Sequence, residues 1–312
     1  MSELRELVRN VVGGGGEIWK TLTELGLTTI GVAESAGGSG GTLRELAEVA
    51  QALGEHGAAV PLAEHATACW ALAGHHEPTL GTVHTAGTVV RGGRGPLSVP
   101  WASRASHLLL LAHDGSATVA APVGRIVARG TDAAGQPLDE VEPGPADPLA
   151  GVDGGAVLAR LAAVRSATLV GALRGAYRLT REHVRTREQF GRPLVTLPAV
   201  ATALARLRVE LLQAETALGT ALDAADTPRA ADAAANARVV CGSAATEGAR
   251  IAHQLHGALG ITTEYPLHPL TRLLWATRDA DLPEQEWAQM LGRRVLAGGE
   301  QALWDELTAT TP

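Results

Sequence analysis

The chain has 312 residues, a net charge of −7 and basic residues that are almost all arginine, Lys20 being the one lysine. This acidic balance, with no lysine or arginine block to form a phosphate-tracking stripe, excludes a nucleic-acid partner. Apolar residues make up 46% of the chain but aromatic residues only 3%, so the core must be built from Ala, Leu and Val, as in closely packed helices. The length suffices for two or three compact units. Cys69 and Cys241 lack metal-like pairing, sit in helical contexts and are expected to be buried free thiols in a reducing cytosol. The N-terminal stretch carries acidic residues and no long apolar core, unlike a secretory signal, and no apolar run is expected to reach the roughly 20 residues of a membrane span. The expectation is a soluble, cytoplasmic protein with no membrane partner and no metal.

The first unit, residues 1–81, reads as helical. Ser2 is the N-cap of a helix to Val12, with Leu4, Leu7, Val8 and Val11 on one face. Gly13 to Gly16 end it as a linker; with no strand before and no Gly-Lys-Ser/Thr after, the run is no phosphate cradle. Glu17 to Leu25 is a second helix, closed by Gly26. The loop Ala36-Gly37-Gly38-Ser39-Gly40-Gly41 enters a third at a Thr42 N-cap, and Leu43, Leu46, Val49, Ala50 and Leu53 form its buried stripe. Pro61 to Leu72 is a fourth, and His75-His76, with no third ligand nearby, follow in a loop.

Residues 82–150 change character. Valine, threonine and glycine rise and the helical period disappears. Val83, His107–Ala112, Ala117–Ala121 and Gly124–Ala128 read as short strands with turns such as His113-Asp114-Gly115-Ser116, and Asp139 to Ala150 as a linker. The third unit, 151–312, reads as four long helices: Val157 to Arg187, Ala199 to Asp226, Ala230 to His256, and Pro283 to Thr308. Short loops between them predict an antiparallel four-helix bundle. The first ends in Arg187-Glu188-Gln189-Phe190-Gly191-Arg192-Pro193-Leu194, which holds the chain's one phenylalanine. From spacing alone this is a helix–helix connector with a buried aromatic plug.

Three stretches widen that reading. TREHVRTREQFGRPL resembles the helix-loop signature of the acyl-CoA dehydrogenases, in which an Arg-x-x-Phe-Gly turn follows a long bundle helix. Gln254-Leu255-His256-Gly257-Ala258-Leu259-Gly260 looks like that family's later glycine loop, and Trp19 to Pro61 is similar to its opening helices. The resemblance implies a mainly α fold with a middle β domain, FAD as cofactor and α,β-desaturation of an acyl-CoA. It also implies that the ADP half of FAD lies on a neighbouring subunit's bundle. Carried over residue by residue, Arg187 is the pyrophosphate arginine and Phe190-Gly191 the aromatic turn beside the adenosine. Gln254, Gly257 and Gly260 form the loop, with Ala258 replacing a second glycine. An arginine fork and closely approachable glycine amides suit a pyrophosphate.

The flavin side departs from the family. The β unit is short, and of two flavin-gripping loops only a Trp-x-Ser pattern, Trp101-Ala102-Ser103, is found. Of the family's two positions for the catalytic glutamate, one falls on Ala162 and the other on Asp281, whose carboxylate is withdrawn by one methylene; Leu282-Pro283 replaces the usual Gly-Thr. Proton transfer tolerates such misplacement poorly. Glu284 and Glu286 sit where acids simply suit a helix start. The family includes α2β2 enzymes of actinobacterial steroid and cholesterol side-chain degradation in which half the FAD sites are lost. The resemblance therefore implies one subunit of a heterotetramer, with a larger homologous acyl-CoA dehydrogenase chain carrying the glutamate. A self-sufficient homo-oligomeric dehydrogenase or monooxygenase using Asp281, and a scaffold without cofactor, are the rivals.

Overall fold

A computed structural model describes residues 2–73, 96–111, 117–120 and 123–309. Val83, His75-His76 and the His113–Ser116 turn lie outside the described residues.

Helices α1 (Glu3–Gly13), α2 (Ile18–Glu24), α3 (Leu43–Glu55) and α4 (Leu62–Leu72) form the N-terminal layer. Their boundaries follow from caps. The Ser2 hydroxyl accepts from the Arg5 amide at 3.4 Å, and at α3 Thr42 and Glu45 make a reciprocal capping box. Gly26 takes a left-handed conformation, φ 71, as the C-terminal turn of α2 requires.

Among the described residues, six short strands follow: β1 (Leu97–Pro100), β2 (Leu108–Leu111), β3 (Ala117–Ala120), β4 (Gly124–Ala128), β5 (Leu138–Pro143) and β6 (Ala146–Pro148). They pair antiparallel into two three-stranded sheets, β1-β5-β4 and β2-β3-β6, with Val99 opposite Asp139 and Leu109 opposite Val119. Residues 139–150, expected to be a linker, therefore complete both sheets. One sheet closes on Val99, Leu108, Val123 and Val141. The other is pinned to the helices, because Leu109, Leu111 and Val119 pack with Leu72 and Val157.

The C-terminal unit holds α5 (Gly154–Thr186), α6 (Pro198–Asp223), α7 (Ala230–His256), α8 (Leu267–Asp279) and α9 (Glu284–Ala309). Four helices were expected; α8 is a fifth. α5 starts earlier than its apolar period, at an Asp153 side chain that accepts from the Gly155 amide at 2.8 Å. α9 is broken at Gly299, φ 75, inside the run expected to be one helix. α5 is the central element and packs on α3, α6, α7 and α8. Against expectation it is long and apolar enough to span a membrane, but 83% of that apolar stretch is buried inside the molecule, as in the core helix of a bundle.

α3 and α5 approach closely through glycine. A Cβ on Gly171 would lie 2.1 Å from the Gln51 carbonyl oxygen, and one on Gly175 would lie 2.4 Å from that of Glu55. Opposite them, a Cβ on Gly54 would lie 2.5 Å from the Thr168 carbonyl oxygen. One core results: Leu22, Leu46, Leu53 and Leu62 of the N-terminal layer pack with Leu161, Leu173, Leu207 and Leu274 of the bundle. Cys69 and Cys241 are buried and unpaired, as expected.

Candidate functional site

Two clusters carry the residues singled out by the sequence, and they differ in almost every physical respect. The first is the end of the bundle where α5 and α7 both stop. The His183 and His256 rings stack there with centroids 4.5 Å apart, joining the last turns of the two helices. Arg187 is the C-cap of α5; its amide donates to the His183 carbonyl and its carbonyl accepts from the Leu194 amide, both at 2.9 Å. Between these bonds the chain forms a hairpin, β7 (Glu188–Gln189) against β8 (Arg192–Pro193). Its two loop residues, Phe190 and Gly191, both have positive φ, 54 and 70. Primed two-residue turns demand that conformation, and it suits Gly191. For an aromatic residue it is strained by on the order of 1 kcal/mol.

The strain points Phe190 outward. The ring is 85% exposed, which corrects the buried plug expected from spacing alone. Arg187 is exposed and has no ion-pair partner among the described residues. Across the stacked histidines, Gln254 is exposed and Gly257 has φ 60, with nothing within 4 Å of an added Cβ. Gly260 is buried instead, where a Cβ would meet that of His256 at 2.8 Å. Exposed Leu259 and Ile261 complete an apolar rim. An unpaired guanidinium, a flat apolar ring and an open glycine backbone on one surface fit the ADP half of FAD. The buried Gly260 fits a packing role in that loop. Beneath the surface, burial holds His256 neutral, lowering its pKa to about 4, with a smaller push from His183 and His253 and partial opposition from its hydrogen bond to the Ala252 carbonyl.

The second cluster faces a cavity of about 420 Å³ between the β1-β5-β4 sheet, α4, α5 and the end of α8. Trp101 and Asp281, 180 residues apart in sequence, both line it. Trp101 follows β1 in a left-handed conformation and its indole N–H donates to Gln136 Oε1 at 3.2 Å. The Ser103 amide donates to the buried Asp139 carboxylate at 3.0 Å. Asp281 also has positive φ, 66, and a side chain 1% exposed. Arg165 faces both its oxygens: Nη2 donates to Oδ1 at 2.9 Å and Nε is ion-paired with Oδ2. The same guanidinium reaches Glu64 Oε1 at 2.9 Å. Arg238, wholly buried, donates from Nη2 to the carbonyls of Thr277, Arg278 and Ala280, each at 3.2 Å, and so clamps the segment that carries Asp281.

Burial pushes the Glu64 carboxyl above its ordinary value, and Arg165 offsets that only in part. Burial pulls Arg165 down, but Asp281 and Glu64 outweigh it and hold it firmly protonated. Burial lowers Arg238 to about 10, still charged at neutral pH. A proton taken by Asp281 would have to land on an oxygen already facing Arg165. Ala162, the other position the family uses for its base, is packed with Leu282 and Trp287 in a separate apolar cluster.

Arg165, Glu64, Arg238 and the histidine stack were not singled out by the sequence reading. The available signal was charge within the buried stripes of Ala-rich helices: one turn from Arg165 stand Leu161, Ala162, Thr168 and Leu169, and one turn from Arg238 stand Ala234, Ala235, Cys241 and Gly242.

The acyl-CoA dehydrogenase C-terminal domain family matches residues 155–280. The acyl-CoA dehydrogenase FadE28 of Mycobacterium tuberculosis (strain ATCC 25618 / H37Rv) is 30% identical over 298 residues, covering 82% of this chain and 88% of that protein. Among solved structures, a variant of the Tcur3481-Tcur3483 steroid ACAD superposes with a TM-score of 0.83 at 22% identity, over 95% of this chain and 97% of that one. The ChsE4-ChsE5 complex from Mycobacterium tuberculosis gives a TM-score of 0.79 at 24% identity, over 96% and 99%. The chain belongs to the acyl-CoA dehydrogenases, a family of FAD-dependent oxidoreductases.

Proposed function

We propose that this chain is the short subunit of an α2β2 acyl-CoA dehydrogenase and supplies the ADP side of an FAD site shared with a larger homologous subunit. The observation that carries this reading is the contrast between the two clusters. Arg187, Phe190, Gly191, Gln254 and Gly257 are exposed at the ends of α5 and α7, Arg187 with no ion-pair partner among the described residues, whereas the Asp281 side chain is enclosed and bound to Arg165. In this reading Arg187 takes the pyrophosphate as a charge-assisted hydrogen-bond donor, Phe190 covers the adenosine, and the Gly257 backbone approaches the phosphates. FAD, when bound, supplies the hydride acceptor for α,β-desaturation. The glutamate that removes the α-proton belongs to the partner, and the exposed Phe190, Leu259 and Ile261 are covered by it. The substrate is an acyl-CoA with a bulky, steroid-linked acyl group, and the complex is cytoplasmic. Similarity to the Tcur3481-Tcur3483 steroid ACAD and to the ChsE4-ChsE5 complex supports the partner and the substrate class.

A second reading, a chain that works alone through Asp281, draws on the cavity that Trp101 and Asp281 share. Arg165 stands against it. The flavin absorbance of the chain purified alone and after co-expression with a full-length homologue separates the two. The first reading expects flavin only in the complex; flavin in the lone chain, with turnover lost on Asp281→Asn, establishes the second. Within the complex, Arg187→Ala should weaken FAD retention roughly 10- to 100-fold, the loss of about 1.5–3 kcal/mol from a charged hydrogen bond. Unchanged flavin content would remove Arg187 from the site.

A further inference from the structure

A second cavity, of about 290 Å³, lies on another face of α5, and neither cluster above uses it. At 100° per residue, its central side chain, Arg160, points roughly 140° around the helix from Arg165. Arg160 is 8% exposed and faces the cavity together with Gly31, Trp70, Ala156, Ala225 and Ala230. Its guanidinium lies over the Trp70 ring, 5.0 Å from the centroid. One nitrogen, Nη2, donates to the Ile30 carbonyl at 3.4 Å, while Nε is buried with no hydrogen-bond partner. The acid at the cavity, Asp226, is exposed and acts on Arg160 only through space, with no ion pair formed among the described residues. Burial lowers the Arg160 pKa to about 10, which leaves it charged at neutral pH.

A buried charge normally has a partner, since an unpaired one costs several kcal/mol. The surroundings add to the positive potential. Ala156 stands in the first turn of α5, 33 residues long, and Ala230 opens α7, 27 residues long, so two long helices present their positive ends to the cavity. The rest of the wall is largely alanine. A phosphate would bring more oxygens than one guanidinium can satisfy, whereas a carboxylate matches its planar fork and leaves an aliphatic chain for the apolar wall. At about 30 Å³ per water, the space is roughly ten waters in size, enough for a carboxylic acid of a few carbons.

We propose that this cavity binds a small aliphatic carboxylate, with the carboxylate on Arg160 and the chain against Trp70 and the alanines of α5, α6 and α7.

The test is a thermal-shift titration of the full-length chain, in its complex if it purifies as one, with sodium butyrate. Butyramide, inorganic phosphate and sodium chloride at matched ionic strength serve as probes of shape and charge. Butyrate should raise Tm saturably, by about 3 °C or more at saturation, and the neutral amide should not. Arg160→Gln should weaken the response at least tenfold. Ala225→Leu, which keeps the arginine but fills the cavity from its partly exposed rim, should abolish it, and decides the matter should the arginine variant not fold. Equal shifts from butyramide or phosphate, or a butyrate response that survives Ala225→Leu, would overturn the proposal.

Discussion

The two clusters are built from the same materials, arginine beside an acyl-CoA dehydrogenase motif, and are put to opposite uses. At the Arg187 end the guanidinium is exposed, the aromatic ring is held out in a strained turn and the glycine backbone is bare. At the Asp281 end one buried guanidinium spans two carboxylates and a second clamps the chain that bears one of them. An exposed arginine without a partner contributes little to folding and is available to bind something else. A buried arginine between two acids is committed to the architecture, because removing it would leave uncompensated charge in the interior. Burial and partner count thus separate an open surface from an enclosed ion-paired cluster that the sequence motif alone makes look alike.

The largest way to break this comparison is Arg165→Met. If the Asp281 cluster is structural, unfolding in urea should show a loss of about 3–5 kcal/mol, the cost of leaving Glu64 and Asp281 buried without their cation. A loss below about 1 kcal/mol would mean that the acids reach solvent and that Asp281 is freer than its contacts imply. Next comes pH. His256 carries its proton with a pKa of about 4 when folded, against an ordinary value of 6.5. A histidine depressed in this way contributes stability above pH 6.5, and that contribution fades as pH falls toward 4. The full effect is on the order of 3 kcal/mol. His256→Gln should flatten the decline between those values, and an unaltered pH profile would show that burial does not hold His256 neutral. The smallest effect sharpens the contrast from the open side. Phe190→Ala should leave stability within about 0.5 kcal/mol of the parent, or slightly improved by relief of the strained turn, while weakening FAD retention by the complex a few-fold. A marked fall in Tm for the isolated chain would return Phe190 to the packing role expected from spacing.

Much of this was legible in the sequence where one physical signal dominated. The long helix from Val157 onward was visible because its apolar residues recur at helical intervals, and Ser2 and Thr42 announced their helices as caps. β5 was missed because Leu138 to Pro143 reads as a charged linker: Asp139 faces inward only because it accepts from the Ser103 amide, a long-range bond that no local pattern records. α8 is hard to see locally because Pro266 and Pro269 interrupt its first turn, yet both sit at the start of the helix, where a missing amide is harmless. The Arg187 and Gln254 motifs were readable as a resemblance. Their exposure was not, since the hairpin that turns Phe190 outward depends on two successive residues at positive φ. The Arg165 triad was invisible because it joins α4, α5 and the end of α8, segments more than 200 residues apart at their extremes.

The glycine contacts between α3 and α5 have a consequence for how the molecule can be divided. The sequence suggests three units along the chain, but Gly54, Gly171 and Gly175 let the backbones of α3 and α5 meet without side chains between them. Backbone against backbone is a seam that no hinge can open by sliding, because a small shift drives carbonyl oxygens into the facing helix. The N-terminal helices are therefore a fifth wall of the bundle and not a lid upon it.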